Sequence, residues 1–213
     1  MEYELLASLP ADLRQRVVAA ATRRRFAKGM VLFHEGDPGE SLHLLVTGRV
    51  AIRMGTPQGD VATLAVLGPG AAFGEQALID AAARRTATAL ALERVESMSL
   101  HRQDFLRLRA EDATVDRLLI EQLAAQVRRL SDRLAEALYV GADKRVMRRL
   151  LDLDEVFAGG PVTLTQEDVA AMAGTTRPTV NRVMQALVAD GVVELGRARF
   201  TVADRPALAR RAR

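Results

Sequence analysis

The 213-residue sequence predicts an α+β protein in three consecutive parts: an antiparallel β-roll over 1–112, a long helix over 113–140, and a small helical domain closed by a hairpin over 141–213. Three observations predict it. Between Met30 and Leu100 short apolar runs are broken by Gly, Pro and Asp turn signals at intervals of about 8 to 12 residues, the spacing of a small antiparallel barrel or sandwich. From Ala113 the apolar period becomes helical. Beyond Gly141 short helical patterns end in a pair of strands.

In the roll, Met30-Val-Leu-Phe33, Leu42-His-Leu-Leu-Val46, Val50-Ala-Ile-Arg-Met54 and Val61 to Leu67 read as strands. Glu35-Gly-Asp-Pro-Gly39, Thr47-Gly48, Gly55-Thr-Pro-Gln-Gly59 and Gly68-Pro-Gly70 read as the turns between them. In the long helix Ile120, Leu123, Val127, Leu130, Leu134 and Ala137 recur at steps of 3, 4, 3, 4 and 3, which lines them along one seam. Two readings stand open for that seam: a dimerisation stripe, or an amphipathic helix packed on its own domain. Gly141-Ala-Asp143 interrupts the pattern and is the expected hinge. After it, Val146, Leu150, Leu153 and Phe157 keep helical spacing until Gly159-Gly-Pro161. Thr165 stands as an N-cap with Asp168 three residues on, Gly174 permits a tight turn, and a second helix is expected from about Thr176 to Ala189 with Val180, Val183, Met184 and Leu187 buried. The stretch 191–202 closes as a hairpin.

Composition excludes several classes. There is no Cys, so disulfide scaffolds, thiolate metal sites, Cys-ligated clusters and sulfur redox sensing are out of reach. No apolar run approaches the roughly 20 residues of a membrane span, and the first ten residues lack a basic region followed by an apolar one. A cytoplasmic protein without membrane partners is expected. Net charge is +3, and its distribution is informative: residues 1–140 hold 18 basic and 18 acidic side chains, residues 141–213 hold 12 and 9. The basic excess sits wholly in the last part, compatible with a polyanionic partner there. No Ser-His-Asp arrangement, metal-ligand spacing or P-loop is present, so neither an enzyme nor a resident cofactor or metal is expected.

Two short helices joined by a Gly-containing turn and followed by a hairpin describe a winged helix-turn-helix, whose second helix enters the DNA major groove N-terminus first. Arg177, Thr179, Asn181 and Arg182 then lie where base edges are read; Arg suits guanine and Asn adenine. Thr165, Thr175 and Thr176 suit phosphates, and Arg197 and Arg199 on the hairpin suit the adjacent backbone. Taken singly, such arginines are ordinary solvated residues; the ensemble predicts double-stranded DNA as partner. One such helix reads few base pairs, so a paired copy is expected.

A second constellation lies in the roll. Gly74-Glu75 opens a short helix whose first amides, at Gln76 and Ala77, face an anion, and Arg85 with Thr86 returns from the next strand. Glu75 beside such a phosphate cradle suits a sugar hydroxyl, so the pair implies a nucleotide. The alternative is structural: Gly74 as a sheet bend braced by a Glu75–Arg85 salt bridge, which leaves no pocket.

The run Phe73-Gly-Glu-Gln-Ala-Leu78 to Arg85-Thr-Ala-Thr-Ala89, with Gly36-Asp37 and Gly48-Arg49-Val50, resembles the phosphate-binding cassette of cyclic-nucleotide-binding domains. The tail resembles the helix-turn-helix of the same proteins, the bacterial CRP/FNR family of transcription regulators. The resemblance implies a homodimer that binds a palindromic DNA site when a nucleotide effector, cAMP first among the candidates, repositions its DNA-binding domains. It implies Gly74, Arg85 and Thr86 on the cyclic phosphate and Glu75 on the ribose 2′-hydroxyl, and RNA polymerase as a further partner without indicating a surface for it. The positions that match the adenine-contacting Thr-Ser pair are Leu130 and Ser131; Leu130 departs and loses a hydroxyl. Pro178 departs where a cytosine-reading Glu stands in the best-known member, which implies a different operator. Oxygen sensing through a cluster is excluded by the lack of Cys, and His34, His43 and His101 are the only candidates for haem. Effector-independent action, cGMP, cyclic-di-GMP, or a ligand-binding dimer acting through protein contact remain as alternatives.

Overall fold

A computed structural model describes residues 3–6, 9–56, 59–80 and 82–213. Of the expected turns, the one over 55–59 falls partly on Pro57 and Gln58, outside the described residues. The chain runs through α1 (Ala11–Ala20), β1 (Thr22–Phe26), β2 (Val31–Phe33), β3 (Ser41–Thr47), β4 (Val50–Gly55), β5 (Val61–Leu67), β6 (Ala72–Phe73), α2 (Gln76–Ile79), β7 (Thr88–Ala91), β8 (Val95–His101) and α3 (Arg102–Glu111). It continues through α4 (Thr114–Tyr139), α5 (Ala142–Val156), α6 (Gln166–Ala173), α7 (Arg177–Ala189), β9 (Val193–Gly196), β10 (Arg199–Val202) and α8 (Arg205–Arg211). By internal contacts it divides into one unit of residues 1–54 and 67–129 and another of 55–66 and 130–213.

In the first unit the roll has the four-stranded sheet β1-β8-β3-β6 and the strands β2-β7-β4 of a second sheet. The two faces of β3 explain the burial of its residues 41–45: Leu42 and Leu44 pack with Leu13, Val17, Leu100 and Phe105 beneath α1 and α3, whereas Leu45 joins Val50, Phe73, Ala89, Ala91 and Val95 on the opposite side. His43 shares that second side with Leu45, and this places a polar ring beside the aromatic wall of the roll. Gly48 is obligatory at the β3–β4 turn. Its φ is +81°, and a Cβ there would stand 2.3 Å from the Arg94 carbonyl oxygen.

In the second unit α5, α6 and α7 pack through Val146, Leu150, Leu153, Val169, Val180, Val183, Met184 and Leu187, the residues expected from periodicity. Thr165 forms a complete capping box with Asp168. Asp168 also accepts from the Thr63 hydroxyl at 2.6 Å, a bond that belongs to the 55–66 segment's place in this unit. Gly174 takes the left-handed conformation at φ +58°, which turns the chain from α6 into α7. The sequence reading stopped at Val202; the structure adds α8, begun by the Asp204 cap and Pro206 and seated by buried Leu208. β9 and β10 meet in a two-residue turn in which Ala198 has φ +54°. That conformation strains an L side chain by about 1 to 2 kcal/mol, and glycine gives back part of the relief in unfolded-state entropy. Ala198→Gly should therefore raise stability by about 0.5 to 1 kcal/mol, read as a higher urea midpoint at unchanged slope.

Two sequence expectations need correction here. Gly141 is not a bare hinge, because Arg145 crosses it: its guanidinium donates to the Val140 carbonyl at 2.7 Å, Ala173 at 2.8 Å and Gly174 at 2.9 Å. Glu136 reinforces the joint with Arg148 at 3.2 Å and Arg149 at 2.7 Å. The division falls inside α4 at 129/130, so the last part of that helix groups with the helices after it rather than forming a separate segment 113–140. The apolar seam of α4 is solvent-exposed, from 40% at Leu123 to 65% at Ile120, with Val127, Leu130, Leu134 and Leu138 in the same state. Among the described residues the seam does not pack on its own unit.

Candidate functional site: an anion cradle and a DNA-facing groove

A cavity of about 190 Å³ opens in the first unit, lined by Gly74, Glu75, Gln76, Ala77, Arg85 and Thr86, as expected, together with Phe33, Gly39, Ile52, Phe73, Arg84, Ala87 and Gln126. Its organising residue is Arg85, 8% exposed. Backbone pairing pins the residue from both sides: the Arg85 amide donates to Asp37 O at 2.9 Å, and the Gly36 amide donates to Arg85 O at 2.8 Å. The guanidinium donates through Nη2 to the Ser41 carbonyl at 2.8 Å and the Ser41 hydroxyl at 3.2 Å, and through Nη1 to the Gly74 carbonyl at 3.2 Å. It lies 4.1 Å from the centroid of the Phe33 ring. Nε is buried and has no partner.

Gly74 is required by this approach. At φ +80° it turns the chain from β6 into α2, and a Cβ there would lie 2.3 Å from Arg85 Nη1. Glu75 caps α2 and makes no ion pair with Arg85 among the described residues, so the bracing salt bridge that would close the pocket is not formed. Burial lowers the Arg85 pKa, and Asp37, Glu75 and Glu40 oppose that. The guanidinium is thus a desolvated cation whose described partners are two carbonyls and a hydroxyl, all neutral, with its Nε–H unpartnered.

In the second unit a groove of about 600 Å³ runs between the start of α6, the exposed face of α7 and the hairpin, lined among others by Thr165, Gln166, Arg177, Asn181, Leu195 and Arg199. Thr176 occupies the N-cap position of α7 without a side-chain cap bond, and Pro178 sits in the first turn. The Thr176 and Thr179 hydroxyls are 3.1 Å apart, and Gln166 donates to Asn181 Oδ1 at 3.3 Å.

Residues 23–112 match the family model of the cyclic nucleotide-binding domain, and residues 144–211 match that of the Crp-like helix-turn-helix domain. The chain is 37% identical over 174 residues to a cyclic AMP receptor protein from Thermus thermophilus, covering 82% of this chain and 80% of the relative. The chain belongs to the CRP/FNR family of transcription regulators. A CRP-like cAMP-activated global transcriptional regulator of Mycobacterium tuberculosis is 31% identical over 207 residues, 92% of each chain. The crystal structure of a Thermus thermophilus catabolite activator protein superposes with a TM-score of 0.58 at 34% identity over 98% of this chain and 97% of that one.

Within this CRP/FNR-family, DNA-binding regulator the site residues expected from sequence divide into three groups. The cassette residues Gly74 to Ala77, Arg85 and Thr86 converge on one cavity. Arg177, Asn181 and Arg199 converge on the groove, with Thr175 partly exposed and Arg197 exposed at the hairpin tip. Arg182 is held bidentately by Asp143 at 2.5 and 3.0 Å, a bond between two exposed side chains that raises its pKa. Two expectations are corrected. The Thr165 hydroxyl and amide both donate to Asp168, which makes Thr165 a cap and not a free phosphate donor. Leu130 and Ser131 are exposed, belong to the other unit's part of α4 and do not line the cavity; the α4 residue that does is Gln126. Gln126 was legible in principle, since it stands one helical turn before Leu130. Phe33 was read only as a strand residue. No described helix is long and apolar enough to cross a membrane.

Proposed function

We propose that this regulator is a homodimer that binds a palindromic operator under the control of a cyclic nucleotide, cAMP, held in the cavity around Arg85. The carrying observation is the Arg85 guanidinium: desolvated, fixed by Ser41 and Gly74, and left with an unpartnered Nε beside Gly74-Glu75-Gln76. In this reading Arg85 and the amides after Gly74 take the cyclic phosphate with Thr86, and Glu75 accepts from the ribose 2′-hydroxyl. The two curated relatives named for cAMP support the choice of base. Leu130 carries no hydroxyl, so cGMP is the comparison that measures base selectivity. Titration calorimetry with cAMP and cGMP, and cyclic-di-GMP as control, tests the assignment. Saturable heat with cAMP is expected, and none with any of the three overturns it.

The exposed α4 seam supports the dimer, since about six large apolar side chains along one helix face are unfavourable in water and typical of a two-stranded interface. The family acts as dimers on DNA, and two recognition helices must then lie about 34 Å apart. Arg177 is the groove residue suited to a guanine. Arg177→Ala should cost about 1 to 3 kcal/mol on the specific site and far less on random DNA, as read by fluorescence anisotropy at fixed salt. Equal losses on both DNAs mark it as a phosphate contact.

A further inference from the structure

Behind Arg85 lies a polar chain that the phosphate cassette does not account for. His43, 6% exposed, lies on β3 between the two hydroxyls of Ser41 and Ser97: Nε2 is 3.4 Å from Ser41 Oγ and Nδ1 is 3.2 Å from Ser97 Oγ. Its ring stacks on Phe73 at 5.3 Å between centroids with planes 14° apart, and lies 5.8 Å from Phe33. Phe33 is the ring against which the Arg85 guanidinium rests, and Ser41 is the residue to which Arg85 Nη2 donates. His43 thus reaches Arg85 by two routes, one polar and one aromatic.

The direction of the polar route follows from donor inventory. A guanidinium only donates, so Ser41 Oγ accepts from Nη2, and the His43 tautomer with a bare Nε2 also takes up the single Ser41 proton. Nε2 is then the acceptor nitrogen. In that tautomer the ring proton is on Nδ1, where it donates to Ser97. Burial, reinforced by the charges of Arg85, Arg24 and His101, pushes the His43 pKa down to about 4, so the ring is neutral at working pH.

We propose that His43 is a positioning residue of the nucleotide site: through Ser41 and the Phe33–Phe73 wall it holds the Arg85 guanidinium in the orientation in which Arg85 lines the cavity. This rests on the reading of the Arg85 cavity as a nucleotide site. The experiment is calorimetric titration of cAMP into wild type, His43→Phe, His43→Gln, Ser41→Ala and the double variant His43→Phe/Ser41→Ala, with ligand-free side-chain NMR of the same proteins. His43→Phe keeps an aromatic ring and should weaken cAMP roughly three- to tenfold. His43→Gln restores an acceptor near the Nε2 position and should recover most of that loss. Ser41→Ala should match His43→Phe, with little further loss in the double variant, since both break one chain. If His43→Phe fails to fold, Ser41→Ala carries the affinity arm. In the free protein, long-range ¹H–¹⁵N correlation should find His43 protonated at Nδ1, and the Arg85 Nε–H signal should broaden in His43→Phe and Ser41→Ala. Unchanged affinity in the single variants, additive losses, or an Nε2-protonated His43 overturns the proposal. Absence of cAMP binding by wild type overturns the nucleotide reading instead, and the tautomer and the Arg85 signal still decide whether His43 positions that guanidinium.

Discussion

Arg85→Ala should weaken cAMP binding by on the order of a hundredfold, because the substitution removes the charge-assisted bonds to the phosphate, worth about 1.5 to 3 kcal/mol each. It should also abolish the ligand's effect on the melting temperature. Wild type bound at a hundred times its Kd gains about 2.7 kcal/mol by mass action, a rise of several degrees for a chain of this size. The substitution has a second consequence that sequence alone did not suggest. From the motif Arg85 looks dispensable to the fold, but in the structure it is buried, donates three bonds and packs on Phe33. Truncation leaves the Ser41 and Gly74 carbonyls without that donor and opens a void, so the free protein should lose about 2 kcal/mol or more. The two effects separate experimentally: affinity is measured well below the melting transition, and Arg85→Lys serves as the second variant. Lysine keeps a charge but cannot span Ser41 and Gly74 together, so it should regain part of the affinity and little of the geometry. Retention of wild-type affinity in Arg85→Ala removes the phosphate assignment.

What was legible in the sequence was whatever local chemistry dictates. The capping box at Thr165, the left-handed turn at Gly174 and the buried face of α7 follow from short-range rules, and all are found. The cassette was legible because Gly74, Glu75 and Arg85 carry their chemistry in a short stretch of chain. What escaped depends on side chains meeting across long sequence separations. Gln126 reaches the cavity from a helix some forty residues downstream, and His43 serves Arg85 through Ser41 and Phe33. The partner of Arg182 escaped for the same reason: helical position offers the side chain to solvent, and only the fold reveals Asp143 beside it. The α4 seam was half legible. Its period was plain, but whether it was covered could be known only once the fold left Ile120, Val127 and Leu134 in water.

The joint between α4 and α5 carries the second large expectation. Arg145→Met should destabilise the full chain by about 2 to 4 kcal/mol, seen as a fall in the urea midpoint, because one guanidinium closes two helix ends at once. Val140 follows the last residue of α4, and Ala173 and Gly174 end α6, so their carbonyls are among those that lack intrahelical partners. Methionine keeps the length and apolar stem but satisfies none of the three oxygens. Arg145→Lys should recover only a fraction, since a single ammonium cannot address three carbonyls held in the fork geometry of a guanidinium. Amide hydrogen exchange locates the effect: protection should fall at 140–145 and 173–177 in the variant, whereas wild type should show no weak point at Gly141. A wild-type chain that exchanges fastest at Gly141, or a variant with an unchanged midpoint, would restore the glycine as a free hinge.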